Sequence, residues 1–447
     1  MLGLSDNQKE SIGLNHILRQ IAPVSPYGKE KLRQIAPCKD EKTINLNFDN
    51  IQKLMQTDLT SLRGILAHFK NIRGILTKLA GGTLNEVEFF EIKGFLLTLE
   101  KFLPMFNKIN KELKLSGITF IYMTPALDVL DPQKSRIVPF SLDDGFSDAL
   151  AAMRYGRQGA APTDDEIAEE MRIMSELSVR LRPHIPKFNI NIDNLGYLDL
   201  VMAKASLAAQ YGCVRPQISK TAIVMREMTN PMVSDSLARD GRTMTPVSLR
   251  LDAGAAIITG ANMGGKSVAI KTAVLNVTLC ALGLFVFASK AEIPLFDGIF
   301  LVSQDLQDAA TGLSSFGGEV ACLNALAARL PQDFLFIALD EPARTTNPSE
   351  GAAIVRAVAA WLAESRSVSL LSTHYDDITA LGARYYRVAG LVDLPQSIGK
   401  ADIADYMDYR LIETAASSPI PRDALKICKL MGLHSELMKK IEKEYVN

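Results

Sequence analysis

The stretch Gly260-Ala261-Asn262-Met263-Gly264-Gly265-Lys266-Ser267 fits the pattern GxxxxGK[ST] and directly follows an apolar run, Ala255-Ala256-Ile257-Ile258-Thr259. No other feature of the sequence limits its fold so strongly. A buried strand must deliver the loop, and a helix must leave it, here from Val268 to Leu282. Glycines let backbone wrap an anion without side-chain clashes, and the N–H groups of the loop and helix start then point at that anion. Lys266 is placed to neutralise the β- and γ-phosphates of a nucleotide, and Ser267 Oγ to ligate Mg²⁺. The bare pattern arises by chance in roughly one to two per cent of chains this long. Its strand–loop–helix context is what makes it a site.

Two further apolar runs end in chemistry. Phe334 to Leu339 leads into Asp340-Glu341, and Ser367 to Ser372 leads into Thr373-His374. From about Lys220 onward such runs alternate with helical stretches, which predicts a parallel sheet covered by helices, with ligands at the carboxyl ends of its strands. Asp340 is expected to hold Mg²⁺ through water, and Glu341 to polarise the attacking water. His374 is expected to sense the γ-phosphate or orient that water. Phosphoryl transfer needs positioning and charge neutralisation more than covalent chemistry. Taken singly, two acids at a strand end are more often solvated, and a strand-end histidine is more often simply hydrogen-bonded. Their order after the loop makes them site residues.

The first half reads helical. Ile51, Leu54, Met55, Leu62, Ile65, Leu66 and Phe69 fall on one stripe of a 3.6-residue period, which Gly81-Gly82 stops. Thr83 with Glu86 forms a capping box for the next helix, which Pro104 ends. Thr163 with Glu166 repeats the box ahead of a helix through Leu181, and another helix is expected from about Leu195 to Tyr211. Gly156 to Thr163 reads as a loop. The expected division is a helical domain over 1–219 and an α/β domain over 220–447.

Forty-nine Lys plus Arg against fifty Asp plus Glu give a net charge of -1. That excludes a globally basic nucleic-acid binder and leaves only local faces. Lys101, Lys108, Lys111 and Lys114 are one such face, read as a solvated helix side in preference to a row of phosphate contacts. The longest apolar run, Val274 to Ala288, is broken by Asn276 and Thr278 and is shorter than the roughly 20 residues that cross a bilayer. The start, MLGLSDNQKE, lacks the regions of a signal peptide. Five cysteines are scattered without a CxxC pair, so neither a disulfide framework nor a zinc site is expected, and a cytoplasmic location is.

These segments together resemble the ATPase domain of the MutS family, a branch of the ABC-type ATPases. GANMGGKS (260–267) is similar to that family's GPNMGGKS, with Ala261 in place of proline and with its characteristic Asn262 and Met263. AEIPLFDGIF (291–300) follows, then DAATGLSSF (308–316) with Glu319 just beyond, similar to the signature segment. LDEPARTTNPSEG (339–351) resembles the acid strand and its loop, and STHYDDI (372–378) the histidine strand. The likeness covers roughly Ile223 to Tyr445, and Arg422 to Glu442 resembles the closing helices. The helical half is more loosely similar to the family's core and lever domains, with RPQI (215–218) at the join.

The resemblance implies an α/β P-loop ATPase domain preceded by an all-α core/lever domain. It implies ATP and Mg²⁺ as ligands and a composite site in a homodimer, or in a heterodimer with a related subunit. Ser314 would donate to the γ-phosphate bound across the dimer, and Asn230 falls where the family has a segment near the adenine. A short stand-alone form is expected, with no mismatch-reading domain, no nuclease-like extension and a clamp region compressed to about Ser141 to Leu181. Leu313 stands where a basic residue is usual, and Pro342-Ala343 replace the usual Ile-Gly. The family points to duplex DNA as partner, in mismatch repair or recombination. The alternative is an ATP-driven remodelling factor for a client enzyme, such as a cobalamin-dependent aminomutase.

Overall fold

The computed structural model describes residues 3–137, 140, 142, 146–155, 161–260, 264–303, 315–375, 378–391, 406–416, 424–430 and 432–446. They form two compact units. One comprises Met1–Gln20, Ala36–Phe48 and Ala208–Asn447, the other Ile21–Ile35 and Asp49–Leu207.

Among its described residues the first unit holds ten strands: β1 (Gln217–Ser219), β2 (Ile223–Met228), β3 (Val247–Leu251), β4 (Gly254–Thr259), β5 (Lys290–Pro294), β6 (Gly298–Val302), β7 (Leu335–Asp340), β8 (Val368–Ser372), β9 (Arg384–Leu391) and β10 (Met407–Thr414). They build a six-stranded sheet of order β10-β9-β4-β8-β7-β6 and a four-stranded sheet of order β1-β5-β2-β3. Within the larger sheet β9, β4, β8, β7 and β6 run parallel, and β10 is an antiparallel edge. Every residue of β7 and β8 is buried. That is why these strands read as continuous apolar runs: a parallel sheet is covered on both faces. On one face Ile257, Leu335, Ile337, Leu339 and Leu371 pack with Leu326, Val355 and Leu362 of the helices Ser315–Arg329 and Pro348–Ala363. The helix Lys266–Ala281 leaves the phosphate loop and is buried along most of its length. The expected strands and this helix stand within a residue or two of where the apolar runs put them.

The division of the chain is not a cut at 219/220. Met1–Gln20 belongs with the sheets. Gln8, buried, donates from Nε2 to the carbonyl of Leu301 at 2.6 Å, and Cys38 donates its N–H to the Ala281 carbonyl at 2.8 Å. Such contacts join residues hundreds of positions apart and leave no local pattern.

The second unit is helical, around an aromatic core of Tyr27, Phe69, Phe95, Phe102, Phe106, Phe120 and Phe188. Three local expectations change. The 51–69 stripe is two helices, Glu41–Met55 and Thr60–Leu66, separated by a turn in which Asp58 accepts the Thr60 N–H at 3.0 Å. Leu62, Leu66 and Phe69 are buried all the same. The capping box is Asn85 with Glu88, not Thr83 with Glu86, and Glu86 accepts the Leu142 N–H instead. Pro104 does not end that helix, which runs Glu86–Leu113. The ring lies on an exposed turn, while Phe102 and Phe106 either side of it are buried against Phe120. Burying two aromatic side chains outweighs the roughly 3 kcal/mol that an interior proline costs. The Thr163–Glu166 box is present ahead of Asp164–Leu181, and the last long helix starts earlier than expected, at Ile185–Tyr211. Of the 156–163 loop, 156–160 lie outside the described residues.

No helix among the described residues is long and apolar enough to cross a membrane.

Candidate functional site

Three strand ends supply the site. β4 runs into Gly260, β7 ends at Asp340 with Glu341 next, and β8 ends at Ser372 with His374 two residues on. β4 pairs with β8 and β8 with β7 in parallel register, Ile258 against Ser372 and Asp340 against Ser372, so the three ends lie side by side. Gly260 (φ 135°) and Gly265 (φ 83°) take backbone angles that L side chains rarely adopt. They turn the chain from β4 into the helix that begins at Lys266. Ala261, Asn262 and Met263 lie outside the described residues.

Lys266 is 4% exposed, and its Nζ donates to the Gly260 carbonyl at 2.8 Å and pairs with Glu341 Oε1 at 3.3 Å. Glu341 Oε2 meets Arg344 at 2.8 Å. Ser267 Oγ donates to Asp340 Oδ1 at 3.0 Å, and Ser372 Oγ donates to the same oxygen at 2.8 Å. Ser372 Oγ also accepts the Glu341 N–H at 3.0 Å, so one hydroxyl sets both acids. Burial pushes the Asp340 carboxyl above its ordinary range, the two serine hydrogen bonds oppose this, and the Glu341 charge adds to it. Burial also lowers the His374 imidazole below its ordinary value, against the pull of Glu341. His374 Nδ1 is buried with no hydrogen-bond partner among the described residues.

A cavity of about 860 Å³ opens beside these groups. Lys266, Ser267, Glu341 and Arg344 line its charged end, while Leu237 and Tyr409 belong to its apolar and aromatic wall. Neither Leu237 nor Tyr409 was visible in the sequence: Tyr409 lies in the β9–β10 pairing where the register shifts between Asp408 and Leu411, which no periodic pattern marks. Arg344 lies in the 339–351 segment, where no sequence pattern marks it as a site residue. Asn230 is not among the lining residues. It is fully buried, accepts the Met232 N–H at 3.1 Å as the cap of helix Pro231–Arg239, and donates to the Ile12 carbonyl at 3.0 Å. It holds the helix that bears Leu237. Leu313 and Ser314 lie outside the described residues, and the helix Ser315–Arg329 starts just after them.

Residues 256–444, which span the phosphate loop, the acid pair and His374, match the family model described as MutS domain V. This part of the chain is thus similar to the ATPase domain of MutS-family proteins. Domain V is the P-loop ATPase domain of MutS proteins, and here the match lies within the sheet-bearing unit. Among curated relatives, Endonuclease MutS2 of Leuconostoc mesenteroides is 32% identical over 219 residues, 48% of this chain and 27% of that protein. Endonuclease MutS2 of Streptococcus gordonii is 32% identical over 223 residues, 49% of this chain and 27% of its own length. The protein of the same name from Streptococcus pneumoniae is 31% identical over 220 residues, again 49% and 27%. The likeness to these MutS-family relatives thus covers about half of this chain and a quarter of theirs.

Proposed function

We propose that this chain binds magnesium ATP in the cavity beside Lys266 and hydrolyses it in a dimer that acts on DNA. One observation carries the reading. A buried lysine, a serine hydroxyl and two carboxylates, delivered by two separate strand ends, meet within 3.3 Å contacts beside a cavity of about 860 Å³. The donor set fits Mg²⁺. Ser267 Oγ and Asp340 Oδ1 are hard oxygens 3.0 Å apart, and this ion takes one or two protein oxygens with water and phosphate completing its shell. When bound it would neutralise charge on the phosphates.

The protein's own groups divide the remaining work. Lys266 exchanges Glu341 for phosphate oxygens. Glu341, kept by Arg344 on its other oxygen, is then free to accept a hydrogen bond from the attacking water and polarise it. His374, neutral through burial, offers Nδ1 to that water or to a phosphate oxygen. The apolar wall with Tyr409 accommodates a base. Ser314 of the partner subunit would complete the site, so that nucleotide binding draws two subunits together and hydrolysis releases them. The endonuclease name of the MutS2 relatives supports DNA as the client.

Steady-state phosphate release with and without magnesium tests the first part; no release above a Lys266→Ala control would overturn it. Duplex-binding titrations over a range of salt test the second. A DNA-acting protein should show log K falling linearly with log salt. No binding at low salt would overturn the DNA part and leave hydrolysis standing.

A further inference from the structure

The turn after the acid pair sits in a conformation that L-residues avoid. Glu341 has φ 50° and Ala343 has φ 58°, with Pro342 between them. Neither is a glycine, and left-handed backbone at such residues persists only where its surroundings over-determine it. Glu341 is fixed at its N–H by Ser372 Oγ. Ala343 is clamped at both backbone groups. Its N–H donates to the Glu319 carboxylate at 2.8 Å, and its carbonyl accepts from the Tyr375 hydroxyl at 3.0 Å. Glu319 is 5% exposed, Tyr375 9% and Ala343 1%. Burial pushes the Glu319 carboxyl above its ordinary range, and the Ala343 N–H opposes that. Burying a carboxylate is a costly way to shape a turn unless the turn matters.

What depends on the turn is Glu341. The next residue after Ala343 is Arg344, whose guanidinium holds Glu341 Oε2. If Ala343 relaxed, Arg344 would swing away and Glu341 would lose one of the two cations that aim it. Helix Pro348–Ala363 leaves room for the clamp through Gly351: a Cβ there would fall 2.2 Å from the Tyr375 hydroxyl and 2.8 Å from the Ala343 carbonyl. Glu319 lies one turn into the helix that follows Ser314. One carboxylate therefore joins the helix of the signature-like segment to the turn behind the acid pair.

We propose that Glu319 and Tyr375 form a latch on Ala343 that aims Glu341 at the reacting phosphoryl group, making Glu319 a positioning residue for hydrolysis. The inference rests on the ATPase reading above. The test compares wild type with Glu319→Ala, Glu319→Gln, Tyr375→Phe and the double variant Glu319→Ala/Ala343→Gly. Each is assayed for kcat and KM with magnesium ATP, for affinity towards a fluorescent ATP analogue, and for melting temperature. A small misplacement of a reacting group costs up to about a hundredfold in rate, so Glu319→Ala should lower kcat roughly 10- to 100-fold while analogue affinity stays within about threefold. Glutamine keeps an oxygen acceptor for the Ala343 N–H and should restore most of the rate. Tyr375→Phe should fall between. Glycine at 343 takes the left-handed conformation unaided and should return part of the lost kcat. Wild-type turnover in Glu319→Ala, or equal loss in Glu319→Ala and Glu319→Gln, would overturn the latch. A wild-type protein that binds but does not turn over ATP would instead overturn the ATPase reading, and the latch as a catalytic device with it.

Discussion

Replacing Glu341 with glutamine should destabilise the empty protein and tighten its hold on nucleotide. Glu341 is 7% exposed and pairs with Lys266 at 3.3 Å and Arg344 at 2.8 Å. At an effective dielectric of 20 the Lys266 pair alone amounts to roughly 5 kcal/mol of raw attraction. The desolvation of both groups offsets much of that. The Arg344 side chain is 46% exposed, so its share is screened to under about 1 kcal/mol. Glutamine also keeps an acceptor oxygen for one of the two cations. The net loss should be about 1–3 kcal/mol, a fall in melting temperature of about 2–10 °C for a unit of this size. Magnesium ATP reverses the sign. It supplies the anion that Lys266 then lacks, and no carboxylate repels it. Thermal melting with and without nucleotide should therefore show a lower starting point and a larger nucleotide-induced rise than in wild type. Phosphate release should drop by about 10²–10⁴-fold through loss of the water-polarising carboxylate, and an ATP-bound dimer should accumulate on size-exclusion chromatography. An unchanged melting temperature together with normal turnover would refute both the ion-pair energetics and the assigned part of Glu341.

Three other outcomes follow from the same coordinates. Asp199 is fully buried and accepts from Val24 N at 3.1 Å, Ser25 N at 2.7 Å and Ser25 Oγ at 2.6 Å; Asp199→Ala should cost the helical unit about 2–4 kcal/mol, read by urea denaturation, and a loss below about 0.5 kcal/mol would contradict this. Burial pushes the thiols of Cys213 and Cys280 up to about 12, so an aromatic disulfide reagent at mildly alkaline pH should label the partly exposed Cys38 and Cys428 first, and these two only after unfolding. His374 has its folded value lowered by burial, so its contribution to stability is present above the ordinary histidine value and is lost as pH falls through the lower folded one; kcat measured from pH 7.5 downward should hold past about 6.5 before declining, and a decline centred at the ordinary value would show the imidazole to be solvated.

The sequence carried the α/β half further than the helical half, for a physical reason. Parallel strands buried on both faces must be apolar throughout. The runs at 255–259, 334–339 and 367–372 therefore marked β4, β7 and β8 closely. Their polar ends located Lys266, Ser267, Asp340 and Glu341, and the fold sets Lys266 against Glu341 and Ser267 against Asp340. The helical half depends on packing that acts across sequence. Pro104 is carried through a helix by burial of its neighbours, and the 51–69 stripe keeps its apolar face across a break that Asp58 shapes. The docking of Met1–Gln20 on the sheets leaves no trace in local periodicity, since Gln8 and Leu301 are 293 residues apart. The same limit hid the apolar wall of the cavity. Tyr409 reaches the cavity from a bulged edge strand, and Asn230 proved to cap the helix carrying Leu237. Ala343 shows a local rule yielding to tertiary contacts: a left-handed position that favours glycine is held in an alanine by Glu319 and Tyr375.

The most direct measurement is calorimetric titration of magnesium ATP into the wild-type chain and into Lys266→Ala. Lys266 sits 4% exposed between the Gly260 carbonyl and Glu341, at the charged end of the cavity. Wild type should bind one nucleotide per chain, and Lys266→Ala should bind at least about a hundredfold more weakly, a loss of roughly 2.7 kcal/mol. Equal affinity in the two proteins would mean that the glycine loop is not where nucleotide binds.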